Sequence, residues 1–181
     1  ISEGLLVPLQ KPGKKQGPPS NLRPVIVLTT LRKILAICML DRTLSKIRSR
    51  IPITQAAYQS GRSTTEHVFT FKVLAEKAIT SKDFKVVILM LDMSKAFDTV
   101  LRKDLLQLMK EILDEDEIHI MKILLTNIKY HIKIGQEIGD LITTNIGFPQ
   151  GDCLSPVLFT LYLANTLKNE NECVEHSYCK H

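Results

Sequence analysis

Val86-Val87-Ile88-Leu89-Met90-Leu91-Asp92-Met93-Ser94-Lys95-Ala96-Phe97-Asp98 is the stretch on which the fold turns. Six apolar residues run without a break, and half of them are β-branched. That pattern predicts a strand buried on both faces. The run ends on Asp92. A carboxylate beside a buried strand is costly unless it is solvated, hydrogen-bonded or bound to a cation. Asp98 follows after five more residues, directly behind an aromatic. Taken alone, the stretch reads most simply as a strand followed by a helix that Asp92 and Ser94 cap.

The surrounding chain has 181 residues, enough for one domain or one and a half. Its four cysteines form no paired framework, which points to a reduced, intracellular protein of nucleus or cytoplasm. No apolar run approaches the ~20 residues of a membrane helix, so no membrane partner is expected. Ile1-Ser2-Glu3-Gly4 lacks a starting Met and a charged n-region, so it reads as a fragment already begun and not as a signal peptide.

Net charge is +5, unevenly spread. Residues 1–50 hold ten Lys/Arg and two acids, Glu3 and Asp41, a local +8 that leaves −3 for the remainder. A basic third on a near-neutral body suggests one face for a polyanion. The simpler alternative is a solvated helix face.

Leu5–Leu9 is a strand candidate. Residues 11–19, rich in Gly, Pro and Lys, form a mobile basic loop. Asn21–Leu28 returns as a second strand with Pro24 near its start. The pair predicts a hairpin with a lysine-rich tip. Thr30 can cap a helix over Leu31–Arg48, with Leu31, Leu35 and Cys38 on one face and Ile37, Leu40, Leu44 and Ile47 on the next. Ser63 and Glu66 have capping-box spacing for a helix to about Ser81. Beyond the central stretch, helices are expected over Val100–Leu113, with Leu101, Leu105, Leu108, Met109 and Ile112 inward, and over Glu117–Ile128. Tyr130–Ile134 alternates as a half-exposed strand, Gly135–Asp140 turns, and Leu141–Ile146 pairs back. Gly147–Asp152 is too rich in Gly and Pro for an element interior. Ser155 caps and Pro156 opens a helix to Lys168. The polar tail, 169–181, is expected to be disordered. Hairpin pairing argues for an α+β fold.

Four motifs carry a resemblance to a known family. Leu91-Asp92-Met93-Ser94-Lys95-Ala96-Phe97-Asp98 resembles the first catalytic motif of reverse transcriptases, in the wording of the non-LTR retrotransposon branch. Gly147-Phe148-Pro149-Gln150-Gly151 with Leu154–Phe159 resembles the family's Pro-Gln-Gly motif and its helix. Asn21-Leu22-Arg23-Pro24 with Lys33-Ile34-Leu35 resembles its fingers motif, and Gln59-Ser60-Gly61-Arg62 the next. They stand in family order over residues 5–168. The resemblance implies an RNA-directed DNA polymerase with a right-hand architecture. Fingers with the basic hairpin would span 1–82, and part of the palm, an antiparallel sheet packed on helices, 83–168. The thumb would be absent. RNA template, DNA primer and deoxynucleoside triphosphates would be its partners.

Nucleotide addition is an in-line displacement at phosphorus, and two divalent ions roughly 4 Å apart stabilise the attacking and leaving oxygens. The resemblance makes Asp92 a catalytic metal ligand, with the Met93 carbonyl as a further ligand. An oxygen-only site favours Mg²⁺ or Mn²⁺. Phe97 stands where the family places an aromatic gate against the sugar 2′-hydroxyl, although core packing would also explain it. Pro149, Gln150 and Gly151 would shape the pocket for nucleotide and template. Arg23, Lys33 and Arg62 are candidates for the triphosphate and template phosphates, with Gln59 and Gly61 beside Arg62. Lys11, Lys14 and Lys15 suit general phosphate contacts.

The family's second catalytic motif, an aromatic-x-Asp-Asp hairpin, does not occur. After Lys168 the only acids are Glu170, Glu172 and Glu175. One aspartate cannot hold two ions, so the chain is expected to be inactive alone, as an incomplete copy or a fragment. Cys173, His176, Cys179 and His181 are spaced more tightly than structural zinc sites. The alternatives are a non-catalytic relic that binds nucleic acid through its basic third, and an RNA-directed RNA polymerase. Phe97 argues against the latter, because such enzymes accept the 2′-hydroxyl.

Overall fold

The computed structural model describes residues 2–178, with side chains through Lys168. The zinc spacing of the tail lies outside those described side chains. Strand β1 (Glu3–Gln10) and β2 (Leu22–Leu28) form the expected hairpin. Helices α1 (Thr30–Arg48), α2 (Thr64–Thr80), α3 (Arg102–Met109) and α4 (Glu115–Leu125) follow. Strands β3 (Ile128–Ile134) and β4 (Glu137–Thr144) and helix α5 (Leu154–Tyr178) complete the α+β fold. The α5 backbone thus runs past the expected end at Lys168.

The sheet has the order β2-β1-β3-β4, and it is mixed where an antiparallel sheet was expected. β1 and β3 run parallel because the long crossover through α1–α4 permits it. Their ladder stops at Leu6↔Ile132. Pro8 lies two residues on and has no N–H to extend it. Strands from both sides of the expected 82/83 boundary therefore share one sheet.

The basic loop is better held than its composition suggests. Gln10 Nε2 donates to Lys14 O at 2.9 Å, and Asn21 Nδ2 to Lys15 O at 3.0 Å. Lys11 Nζ donates to Ser20 O at 2.8 Å. Side-chain amides replace the ladder that Gly and Pro forbid.

The expected buried strand at 86–91 is not formed. Residues 84–93 have no regular structure, Val87 is 97% exposed and Met90 86%. No backbone hydrogen bond is made by residues 82–94 among the described residues. A strand needs a neighbour to hydrogen-bond, however apolar its side chains are. Neither edge of the sheet supplies one: β2 receives the Gly147–Gly151 loop instead, and β4 stands open.

The main core lies between α1, α3, α4 and α5. α1 buries Arg32, Ala36, Met39, Thr43 and Ile47, while Leu31, Ile34 and Ile37 are exposed. The inward stripe is therefore rotated from the expected one, because it includes an arginine. The cap is Thr29, one residue early, whose side chain accepts from the Arg32 N–H. Ser63 makes no side-chain cap bond, and Arg62 pairs with Glu66 at 2.7 Å. α3 is shorter than expected, with Leu105 and Met109 buried but Leu101 exposed.

A capping box does form at α4, between Asp114 and Glu117. Lys46 and Arg42 of α1 reach both acids, with Lys46 Nζ 2.7 Å from Glu117 Oε2. The Glu117 N–H holds Asp114 below its ordinary 3.8, helped by Lys46 and Arg42. Burial opposes ionisation of Glu117, yet bonds from Lys46 and Arg42 outweigh it and leave the carboxyl below its ordinary 4.5. Depressed carboxyl pKa values stabilise the fold above the unfolded values and lose that effect as pH falls through the folded ones. Melting temperature is accordingly expected to fall from about pH 4.5 downward. Glu117→Gln should flatten that slope by up to about one proton. An unchanged slope would remove this network from the acid response.

Candidate nucleotide and nucleic-acid site

The Gly147–Asp152 segment is tied down at nearly every residue. The Gly147 N–H donates to Val100 O at 2.9 Å, and the Phe148 N–H to Phe97 O at 2.8 Å. Pro149 O accepts from Ser155 Oγ at 3.1 Å, so Ser155 braces the loop and does not cap α5. Asp152 Oδ1, just ahead of α5, accepts from the Leu154 N–H at 3.1 Å. Ile26 N–H of β2 donates to Gln150 O at 2.9 Å. A Cβ on Gly151 would lie 2.8 Å from Ile26 O, so no larger residue fits that approach. Loop and hairpin are thereby one unit.

Two buried arginines close its ends. Arg32 Nη2 donates to Leu124 O at 2.7 Å and to Asp152 Oδ2 at 3.2 Å. Arg102, at the other end, donates to Gly147 O and to carbonyls of Thr144, Ile146 and Leu125. Burial lowers the Arg102 pKa, and burial raises that of the adjacent Tyr130 hydroxyl. Neither arginine is singled out by the sequence motifs. The available signal was an arginine in the apolar stripe of α1 and another at the start of α3.

Phe97 and Asp98 meet this loop. The Phe97 ring stacks on Phe159 at 4.5 Å and contacts Phe148 and Tyr58 edge-on at 6.5 and 6.2 Å. Tyr58 brings the Gln59–Arg62 loop into the neighbourhood. Gln150 Nε2 donates to Asp98 Oδ1 at 3.4 Å. Both line a pocket of about 240 Å³ between sheet and loop, with Arg102, Tyr130 and Thr144. Pro149 is buried and Gln150 half-buried.

Other candidates stand apart. Asp92 and Met93 are exposed on the irregular segment, and Asp92 has no hydrogen-bond or ion-pair partner among the described residues. No group of three His, Cys, Asp or Glu that could hold a metal occurs among the described residues. These residues by themselves do not make a metal site. Arg23 and Lys33 are exposed, at the start of β2 and on α1. Gln59 donates to Gln55 O at 2.6 Å, which occupies its amide locally. Lys14 and Lys15 are exposed at the hairpin tip, and Lys11 is half-buried.

The reverse transcriptase (RNA-dependent DNA polymerase) family matches residues 10–180. The chain belongs to that family. It is 24% identical over 159 residues to the probable RNA-directed DNA polymerase from transposon BS of Drosophila melanogaster, covering 87% of this chain and 17% of that protein. Identity is 26% over 163 residues to the probable RNA-directed DNA polymerase from transposon X-element of the same fly, covering 88% and 18%. The RNA-directed DNA polymerase from mobile element jockey of Drosophila funebris is 26% identical over 168 residues, covering 92% and 18%. These relatives bear out the resemblance to the non-LTR retrotransposon branch. The chain spans less than a fifth of the length of each.

Proposed function

We propose that this chain is the template- and nucleotide-binding part of an RNA-directed DNA polymerase that copies RNA into DNA in a longer protein. The observation that carries this reading is the junction of the Phe97–Asp98 turn with the Gly147–Gly151 loop, reached from opposite sides of α3, α4, β3 and β4. In this reading residues 1–82 are fingers and 83–168 part of the palm, and a thumb lies outside the described residues. The Phe97 ring borders the sugar of the incoming deoxynucleotide. Gln150, Gly151 and Pro149 border its base and the template. Arg23, Lys33 and Arg62 face phosphates, Arg62 after leaving Glu66. Lys11, Lys14 and Lys15, with Gln59 and Gly61, line the path of template and primer. Asp92 and the Met93 carbonyl are part of a site for Mg²⁺ or Mn²⁺, whose other ligands come from outside the described residues.

A second reading, a nucleic-acid binder without catalysis, is favoured by the isolation of Asp92. Both readings predict that the chain alone extends no oligo(dT) primer on poly(rA) with dTTP and Mg²⁺. Robust extension that Asp92→Ala abolishes would overturn that. Both also predict binding of primed template with a steep salt dependence, each neutralised phosphate on single strands contributing roughly 0.7 to the slope. Lys11, Lys14 and Lys15 replaced together by Gln should lower the slope by about 2. An unchanged slope would remove the hairpin tip from the interface. Binding that ignores the presence of dTTP would favour the second reading.

A further inference from the structure

We propose that Arg102 is a positioning residue for the nucleotide pocket, setting the separation between the Phe97–Asp98 turn and the Gly147–Gly151 loop. The inference rests on the pocket's reading as a nucleotide site and names the group that holds it open to one width.

Arg102 is 2% exposed and has no acidic partner among the described residues. Its guanidinium donates only to backbone carbonyls. Nε reaches Gly147 O, Nη1 reaches Thr144 O at 2.8 Å and Leu125 O at 3.2 Å, and Nη2 reaches Ile146 O at 2.9 Å. Leu125 ends α4, so its carbonyl has no partner within the helix, and Ile146 and Gly147 lie beyond the end of β4. Buried carbonyls need donors, and one planar fork serves the buried carbonyls of Gly147 and Leu125 and the partly buried ones of Thr144 and Ile146. An apolar side chain, like those of Leu105 and Met109 further along α3, would fill this space but leave the Gly147 and Leu125 carbonyls without these donors. The arginine therefore does something that packing does not.

The acceptors explain what. Leu101 and Ile146 form an antiparallel bridge, and the Gly147 and Phe148 N–H groups bond to Val100 O and Phe97 O. Residues 97–101 and 146–148 are thus a short paired ribbon, and Arg102 ties off its end. Gln150 and Asp98 stand at the opposite end, in the long contact of 3.4 Å. Slack at Arg102 reaches them through the ribbon.

The test uses the 181-residue chain and amide hydrogen exchange by NMR. Arg102→Met keeps the stem and removes every donor, and Arg102→Lys restores a cationic head. In Arg102→Met, exchange at Gly147 and Phe148 should accelerate at least ~10-fold, with Met39 in α1 and Leu158 in α5 within twofold of the wild type. Arg102→Lys should recover part of the protection. The wild-type Gln150 side-chain amide should shift when dTTP is added with oligo(dT)-primed poly(rA), with an apparent Kd at least ~10-fold weaker in Arg102→Met. Uniform acceleration, or none at Gly147 and Phe148, overturns the inference. So does an equal Kd in the two proteins. A wild-type Gln150 that never responds sinks the nucleotide reading itself, and the positioning role with it. If Arg102→Met does not fold, Arg102→Lys decides by the same two measurements.

Discussion

Gly147→Ala lowers the melting temperature by roughly 6–12 °C, while Gly135→Ala lowers it by about 3–6 °C. Both glycines are left-handed, with φ of 69° and 62°. Alanine in that region costs about 1–2 kcal/mol whatever surrounds it. The surroundings differ. A Cβ at Gly135 meets nothing within 4 Å, whereas one at Gly147 lies 2.7 Å from Asp98 O and 2.9 Å from Asp98 Cα. Those atoms are backbone and cannot rotate away, so overpacking of about 1–3 kcal/mol is added. A total near 3 kcal/mol, at about 2–4 °C per kcal/mol for a chain of this size, gives the range stated. Thermal unfolding of the two variants side by side checks it. Equal shifts would show that the loop does not press on Asp98 as described.

The same comparison shows which parts of the fold were legible in the sequence. Gly, Pro and alternating apolar residues mark the β1–β2 and β3–β4 hairpins, because turn chemistry is local. The helices were legible for the same reason, to within a few residues at most ends. The inward stripe of α1 was not. Arg32 counts as polar until Asp152, distant in sequence, is seen to bury beside it. Ser63 and Glu66 have the spacing of a capping box, yet Glu66 is claimed by Arg62, and spacing alone cannot decide between two local partners. The stretch at 86–91 shows the limit most plainly. Its composition reports how well it would fit between two neighbours, and nothing in it reports whether neighbours are present. Of the candidate site, the Phe97 and Gln150 segments were legible as motifs of the family. Of the two arginines that hold the loop, Arg32 acts through a carboxylate 120 residues away and Arg102 through carbonyls, which every residue has and no pattern marks.

Phe97→Val is expected to raise ribonucleotide use at least ~10-fold relative to deoxynucleotide use, in a chimeric polymerase carrying residues 10–180 within the full length of a jockey relative. Ten-fold is about 1.4 kcal/mol of discrimination in the transition state. The proposal gives the ring two jobs. One face is committed to packing: it stacks on Phe159 at 4.5 Å and meets Phe148 and Tyr58 edge-on. The ring is nonetheless only half-buried, so part of it remains to border a sugar. Rejection of a 2′-hydroxyl by a ring is steric, so a shorter side chain admits it and leaves the deoxyribose fit largely intact. Valine also forfeits the Phe159 stack, and stability should fall by ~1–4 kcal/mol in the same variant. The two effects separate in different measurements. Lost packing lowers the melting temperature and reduces dTTP and UTP use together, so their ratio is untouched. A lost gate changes the ratio of kcat/KM for UTP and dTTP on matched poly(rA) templates. Phe159→Leu supplies the control: it weakens the stack from the far side and should cost stability without moving the ratio. If Phe97→Val and Phe159→Leu leave the ratio equally unmoved, Phe97 is a packing residue and the gate assignment is wrong.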